Sequence, residues 1–363
     1  MQKIKRFIEC LLPITACNLK CSYCYVMQRG KRDNKQAELK YSPEQIGQAT
    51  TMERWGGCCY FSICGAGETT LQKEIDVIAF NILKNGHYVN ITTNGTITSQ
   101  IEKILKTCHN YSSRIHFSFS FHYIELKKKG LVDVFFHNIE LVKNAGASFI
   151  VQFNMCDEYI PYLDEIRSLC LENVHGLPQI AATRKERIGL RKIELLTSYD
   201  EAEYKAFGDS FDSPLFDFTM QNFNKKRHEF CYAGDWAFNL DISTGIMRRC
   251  YCSYLRQDVF KNPNEKIKVL AIGNGCGSPF CMNSSHFLSL GVIPSINSPS
   301  YADLRNREEA GWYTEEMKAF LSTKLCESNI AYPIHKKIWS DIVAFFDNSF
   351  RIFVQIIRRI IKK

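Results

Sequence analysis

The stretch CNLKCSYCY, residues 17 to 25, places Cys17, Cys21 and Cys24 in one short segment, with Tyr23 and Tyr25 on either side of the last thiol. Thiolates are soft ligands, suited to zinc and to iron–sulfur clusters. A structural zinc site takes four ligands, and the next cysteine along the chain is Cys58. Three thiolates instead match three irons of a cubane [4Fe–4S] cluster, leaving the fourth iron open to a bound molecule, as a catalytic zinc keeps one position open.

A second group of thiols follows much later: Cys231, Cys250, Cys252, Cys276 and Cys281, within CYAGDWAFNLDISTGIMRRCYCSY and GNGCGSPFC. WAFNLDI and IMRRCYC read as strands and STG as the turn between them, which predicts a hairpin between Cys231 and Cys250. Cys10, Cys58, Cys59, Cys64, Cys108, Cys156 and Cys170 sit in apolar runs and read as core residues. Of the rest, only Cys326 follows the second group.

The elements that must carry these thiols alternate between two patterns. RFIECLLPIT reads as a short buried strand feeding the first cysteine loop. SPEQIGQATTMERWG opens a helix with Ser42 as cap and Pro43 at its first position. CCYFSIC, YVNITTNG, RIHFSFSFHY, SFIVQFNM and PQIAATR read as strands. TLQKEIDVIAFNILKNG, TSQIEKILKTC, GLVDVFFHNIELVKNAG and IPYLDEIRSLCLENV read as the helices between them. In RIHFSFSFHY the side chains alternate strictly, giving one polar face of His116, Ser118, Ser120 and His122. About six βα units over residues 1 to 190 imply a parallel sheet, too few for a closed eight-stranded barrel, and so a partial (β/α)6 barrel. Chemistry collects at the carboxyl ends of such strands, where the first cysteine loop falls.

Cys17, Cys21, Tyr23 and Cys24 resemble the CxxxCxΦC signature, with Φ aromatic, of the radical S-adenosylmethionine (SAM) superfamily. CGAGET after the second strand resembles that family's GGE motif, with Ala66 in place of one glycine. The resemblance implies that Gly65 and Gly67 let the backbone approach SAM and that Glu68 lies near its methionine amine. TTNG, with Asn94, resembles the turn after the third strand. Ser118, Ser120 and His122 resemble the polar fourth strand that contacts the SAM ribose and carboxylate, and Asn154 in VQFNM the cofactor edge of the fifth. The family's first step is reductive cleavage of SAM to a 5′-deoxyadenosyl radical, which abstracts hydrogen from a substrate. Gly245 and Cys250 keep the spacing of the SPASM and twitch extensions of the same superfamily, which bind auxiliary iron–sulfur clusters. The cysteine count fits one auxiliary [4Fe–4S] cluster, on Cys231, Cys250 and Cys276 with Cys252 or Cys281 as fourth ligand; a structural zinc on the same thiols is the alternative.

The resulting division is a barrel over residues 1–225, an auxiliary domain over 226–290 and a C-terminal segment over 291–363. Substrate hypotheses are oxidation of a small molecule such as a sugar or alcohol, modification of a peptide, or a non-catalytic iron–sulfur or zinc protein that binds a partner. A peptide-modifying enzyme often carries an N-terminal leader-recognition domain, for which the 16 residues before Cys17 leave no room. An external electron donor such as flavodoxin or ferredoxin is implied.

With 363 residues and 45% hydrophobic content the chain builds proper cores. Its 16 cysteines are too few for a disulfide-dense miniature, and their clustering points to metal ligands in a reducing, cytoplasmic compartment. The net charge of +8 is modest and scattered, with no visible nucleic-acid groove. MQKIKRFIECLLPITAC has the outline of a lipoprotein signal, but Glu9 and Pro13 interrupt its apolar stretch. At the C-terminus, Trp339, Ile342, Phe346, Phe350, Phe353, Ile357 and Ile360 form a stripe at helical spacing, opposite Asp341, Asn348, Arg351, Gln355, Arg358 and Lys362. Residues 336–363 are therefore expected either to dock by that stripe on the protein's own core or on a second subunit, or to rest as a basic amphipathic helix on an anionic membrane.

Overall fold

The structure, a computed structural model, describes residues 2–30, 32–186, 193–281 and 284–361; Lys362 and the side chains of Gln355, Arg358 and Ile360 lie outside the described residues. Six parallel strands run in sequence order across one sheet: β1 (Arg6–Leu12), β2 (Cys59–Gly65), β3 (Tyr88–Thr93), β4 (Ile115–Ser120), β5 (Ser148–Met155) and β6 (Gln179–Ala182). Strands β2 to β5 are rich in β-branched or aromatic residues, and the interior positions of β2 and β4 are almost wholly buried. The crossovers are α1 (Pro43–Ala49), α2 (Ile75–Lys84), α3 (Thr98–Thr107), α4 (Val132–Asn144) and α5 (Leu163–Val174), each packed on the next. Strand order that never reverses keeps the helices on one side and curls the sheet toward an open barrel.

The helix expected across residues 42–56 is two pieces. Ser42 and Gln45 form a reciprocal capping box at the start of α1, but Thr50 leaves helical geometry and a second turn restarts at Met52. After β6 come two paired two-residue strands, β7 (Arg184–Lys185) and β8 (Glu194–Leu195). The predicted hairpin forms as β9 (Ala237–Asp241) and β10 (Ile246–Arg248), with Gly245 at φ +74° in its turn, followed by β11 (Arg256–Asp258). Strand β9 pairs in parallel with β1, Phe7 opposite Ala237, so the hairpin extends the main sheet across the 225/226 boundary. A short helix, α6 (Tyr301–Arg305), and the long C-terminal α7 (Ile334–Ile361) complete the elements used below.

Helix α7 docks by the face opposite to its apolar stripe. Asp341, Asp347, Asn348 and Arg351 turn inward and bond to the hairpin region. The stripe faces outward: Trp339 is 56% exposed and Phe346 66%. The expectation that the stripe meets the protein's own core is therefore overturned: the polar row is equally periodic, and its Asp347 finds buried partners in Arg249 and Ser253, while of the described stripe residues Phe350 meets only the Tyr254 ring.

Candidate active site

A cavity of about 430 Å³ opens at the carboxyl ends of β1–β6, within the range of small-molecule sites. Cys17, Cys21 and Cys24 line it together with Tyr23, Gly65, Gly67, Glu68, Asn94, Ser120, His122 and Asn154. Of the expected residues on the barrel, Ser118 alone stands outside this lining; its Oγ donates to Asn90 Oδ1 at 2.8 Å. His116, the first member of the same polar row, is wholly buried against the Tyr60 hydroxyl at 2.8 Å. The row thus splits by depth: its first two members lie below the cavity, and Ser120 and His122 reach it.

The cysteine loop is held from three sides. From β2, the backbone N–H groups of Ala66, Gly67 and Glu68 donate to the carbonyls of Leu12, Ile14 and Ala16 at 3.3, 2.6 and 2.8 Å. A Cβ on Gly67 would lie 2.1 Å from the Ala16 carbonyl oxygen, and one on Gly65 2.6 Å from Ile14 Cγ2. The close approach that demands glycine here is to the chain's own cysteine loop, a different reason from the approach to SAM that the resemblance implied. From β3, Asn94 Nδ2 donates to Asn18 Oδ1 at 2.8 Å and points at Cys17 Sγ at 3.8 Å. From the segment after β4, Glu125 accepts from Lys20 N at 3.0 Å.

Glu68 is 2% exposed. Its Oε1 accepts from Thr70 N, Thr70 Oγ1 and Thr93 Oγ1, and its Oε2 from Asn94 N at 2.7 Å. Burial raises its pKa despite these donors. One Oε2 lone pair remains for a further donor such as an ammonium group. Tyr23 spends its hydroxyl on His122 Nδ1 at 2.6 Å and on Tyr159 at 2.9 Å, while burial pushes His122 down to about 4 and keeps it neutral.

Burial raises the thiols of Cys17 and Cys21, the latter to about 12. Thiols raised in this way hold their protons, and a metal would take them as thiolates. Three thiols on one cavity wall, with Leu19 N and Asn94 Nδ2 directed at Cys17 Sγ, fit a cubane held by three ligands. The remaining lining, carboxylate, amide, hydroxyl and imidazole, suits a zwitterionic nucleoside such as SAM.

The second thiol group also converges. Cys231, Cys250, Cys252, Cys276 and Cys281 all line an apolar cavity of about 30 Å³. Its wall at Tyr251, Phe280 and Cys281 is also wall of the main cavity. Helix α7 clamps the loops that carry these thiols. Asp341 accepts from Asn274 N at 2.7 Å, Asn348 donates to Gly275 O at 2.6 Å and Arg351 donates to Gly277 O, bracketing Cys276. Asp347 binds Arg249 Nη2 at 2.9 Å, Ser253 Oγ at 2.6 Å and Tyr254 N at 3.0 Å, bracketing Cys250 and Cys252. Among the described residues no three His, Cys, Asp or Glu side chains converge on a point where one metal ion would sit.

Several cavity residues were not singled out from sequence. Cys64, read as core, lines the cavity at the end of β2; the core reading fails because the last residues of a strand lie at the mouth of the barrel. Glu9 faces the cavity from β1, and its charge inside an apolar strand was the available signal. Arg305 comes from α6, far along the chain, with no periodic cue.

The comparisons agree with this geometry. The family model described as "Radical SAM superfamily" matches residues 11–165. A curated "Probable GTP 3′,8-cyclase" of Pyrobaculum aerophilum is 35% identical over 79 residues, 22% of this chain and 24% of that protein. The crystal structure of SuiB from Streptococcus suis superposes with a TM-score of 0.50 at 17% identity, covering 72% of this chain and 64% of SuiB. SuiB bound to precursor peptide SuiA gives 0.50 at 18% identity, over 73% and 64%. At that identity the likeness is one of fold, and the chain spans just under two thirds of SuiB and a quarter of the cyclase. Residues 11–165 thus match the radical SAM superfamily, whose members use a [4Fe–4S] cluster and SAM.

Proposed function

We propose that this protein is a radical SAM enzyme that oxidises a small molecule, such as a sugar or alcohol, with one auxiliary [4Fe–4S] cluster beside the substrate. Cys17, Cys21 and Cys24 would hold the first cluster, and Glu68, Asn94, Ser120, His122 and Asn154 would orient SAM; bound together, these groups supply hydrogen-atom abstraction through a 5′-deoxyadenosyl radical. The observation that carries the reading is the wall shared by the two thiol sites at Tyr251, Phe280 and Cys281. An auxiliary cluster on Cys231, Cys250 and Cys276, with Cys252 or Cys281, would stand where the substrate's second electron leaves. Residues 226–290 then act as the auxiliary domain. The size of the cavity supports a small substrate: about 430 Å³ is near the lower end of ligand sites, and a substrate would share it with SAM.

A flavodoxin- or ferredoxin-type donor in the cytoplasm would supply the reducing electron; all 16 cysteines are free thiols, as a reducing compartment keeps them. The test is anaerobic incubation of the reconstituted protein with SAM and dithionite. Release of 5′-deoxyadenosine by the wild type and its absence from a Cys17→Ala variant is the expected result. A reconstituted wild type that binds SAM and releases none overturns the enzyme reading in favour of a binding protein.

Helix α7 adds a location. No helix among the described residues is long and apolar enough to cross a membrane, but the outward face of α7 suits the surface of an anionic bilayer. Both acidic side chains of the helix, Asp341 and Asp347, bind inward. What remains outside is Trp339, Phe345, Phe346 and Phe353, and the sequence after them ends in the basic run RRIIKK. Apolar area buried among lipid headgroups and cationic flanks favour anionic membranes together. Wild type is expected to co-float with phosphatidylglycerol-containing vesicles and not with phosphatidylcholine alone, and a Phe346→Glu/Phe353→Glu variant is expected to stay behind. Equal flotation of the variant, or a wild-type dimer that the variant abolishes in place of any flotation, refutes the assignment. Point variants are preferable to truncation, which would also remove the clamp on the cysteine loops.

A further inference from the structure

The wall of the main cavity contains a buried cation that forms no ion pair among the described residues. Arg305 is 3% exposed and lines the same cavity as the three loop thiols. Its guanidinium stacks on the Tyr301 ring at 3.7 Å, and its Nη2 donates to Ser285 O at 2.9 Å. Its Nη1 has no hydrogen-bond partner among the described residues. Among the described residues no carboxylate lies within ion-pair distance of it. Glu9 lines the same cavity, but its Oε2 accepts from Asn239 Nδ2 at 2.7 Å.

A guanidinium cannot escape burial by losing its proton, and taking it out of water without a counter-charge is unfavourable. The neighbours share its field without answering it. Burial and the Arg305 charge together push both His116 and His286 down to about 3, so both are neutral. One aromatic face and one carbonyl satisfy part of the fork, and the free Nη1 belongs to a group that borders the cavity. An arginine so placed matches a planar or tetrahedral oxyanion, which two of its N–H groups can grip side by side.

We propose that Arg305 receives an oxyanion of the substrate, a carboxylate or a phosphate, so that the molecule oxidised is a small acid or phosphate ester anchored by that group. The assignment rests on the reading of this cavity as the active site, and narrows its substrate class. Anchoring from α6 would hold the substrate in the cavity that the cysteine loop also lines.

The experiment is calorimetric titration of the reconstituted holoenzyme, with SAM present, by inorganic phosphate and separately by succinate, for wild type, Arg305→Met and Arg305→Lys. The expected result is that wild type binds one of the two probes, and the one it prefers tells phosphate from carboxylate. Arg305→Met should then lose at least about tenfold in affinity, with Arg305→Lys in between because it keeps the charge without the fork. A wild type that binds neither probe, or an Arg305→Met that binds as wild type does, overturns the proposal. If Arg305→Met fails to fold, Arg305→Lys decides: weakened binding supports the assignment and unchanged binding overturns it. Release of 5′-deoxyadenosine by the same wild-type preparation is read in parallel. Its absence would remove the radical reading while the titrations still judge Arg305.

Discussion

Replacing Gly67 with alanine tests how the cysteine loop is held. The new Cβ would stand 2.1 Å from the Ala16 carbonyl oxygen and 2.8 Å from the backbone carbons of Thr15 and Ala16. All three contacts are backbone, so no side chain can rotate away. Restoring even 3.0 Å requires β2 and the loop to part by about 0.9 Å at this point. That displacement stretches the 2.6 Å Gly67 to Ile14 bond and the 2.8 Å Glu68 to Ala16 bond past useful length. Two buried backbone bonds at roughly 1–2 kcal/mol each give a loss of about 2–4 kcal/mol. The same movement shifts Cys17 and Glu68 relative to one another, and a 1 Å misplacement at a reacting centre costs up to about 100-fold in rate. Urea unfolding of the apoprotein reads the first effect. Iron retained after reconstitution and 5′-deoxyadenosine release read the second, with Ala66→Gly as control at a half-buried position lacking the clash. A Gly67→Ala protein that unfolds within about 0.5 kcal/mol of wild type and keeps full iron would refute the claim that this glycine exists for the loop.

Further expectations follow from buried charge. Asp347→Ala leaves the Arg249 guanidinium, 7% exposed, without its carboxylate. Breaking such a buried pair costs about 3–5 kcal/mol, so α7 should become protease-sensitive and the iron of the second site should fall, while Asp341→Asn should do less because its contacts are exposed; unchanged iron in Asp347→Ala refutes the clamp. His87 is wholly buried between Cys59 N at its Nδ1 and Thr50 O at its Nε2, and burial lowers it from 6.5 to about 4. The unfolded chain therefore binds the extra proton first, and stability falls as pH drops from about 6.5 to about 4. Two and a half units at 1.36 kcal/mol each bound the loss at about 3 kcal/mol. Apoprotein melting temperatures across that range should show the fall, and a His87→Gln variant should show less of it; a pH-independent midpoint contradicts the assignment.

The position of the chemistry was legible because it is local. Cys17 follows the last residue of β1 by five positions, and the strand and helix periods of residues 6–182 fix both the parallel sheet and the end at which the loop emerges. Ser120 and His122 were legible for the same reason, since alternation along β4 gives the face. It does not give the depth, and so His116 and Ser118 were placed with them. Arg305 joins the site through packing between distant segments, which no spacing records, whereas Glu9 and Cys64 lie on β1 and β2 themselves. Helix α7 shows the limit most plainly. Its two faces are both periodic, and which one meets the protein depends on Arg249, Asn274 and the glycines of residues 273–277 lying opposite the acidic row. The pairing of β9 with β1, more than 200 residues apart, is of the same kind.

The most direct measurement is the iron and sulfide content, with the EPR spectrum, of anaerobically reconstituted wild type beside a Cys17/Cys21/Cys24→Ala variant. Two clusters in the wild type and about one cubane's worth of iron left in the variant is the expected result, with the SAM-sensitive signal gone. A wild type holding one cluster and a variant holding none would contradict it, and the thiols beside the active cavity would then serve structure alone.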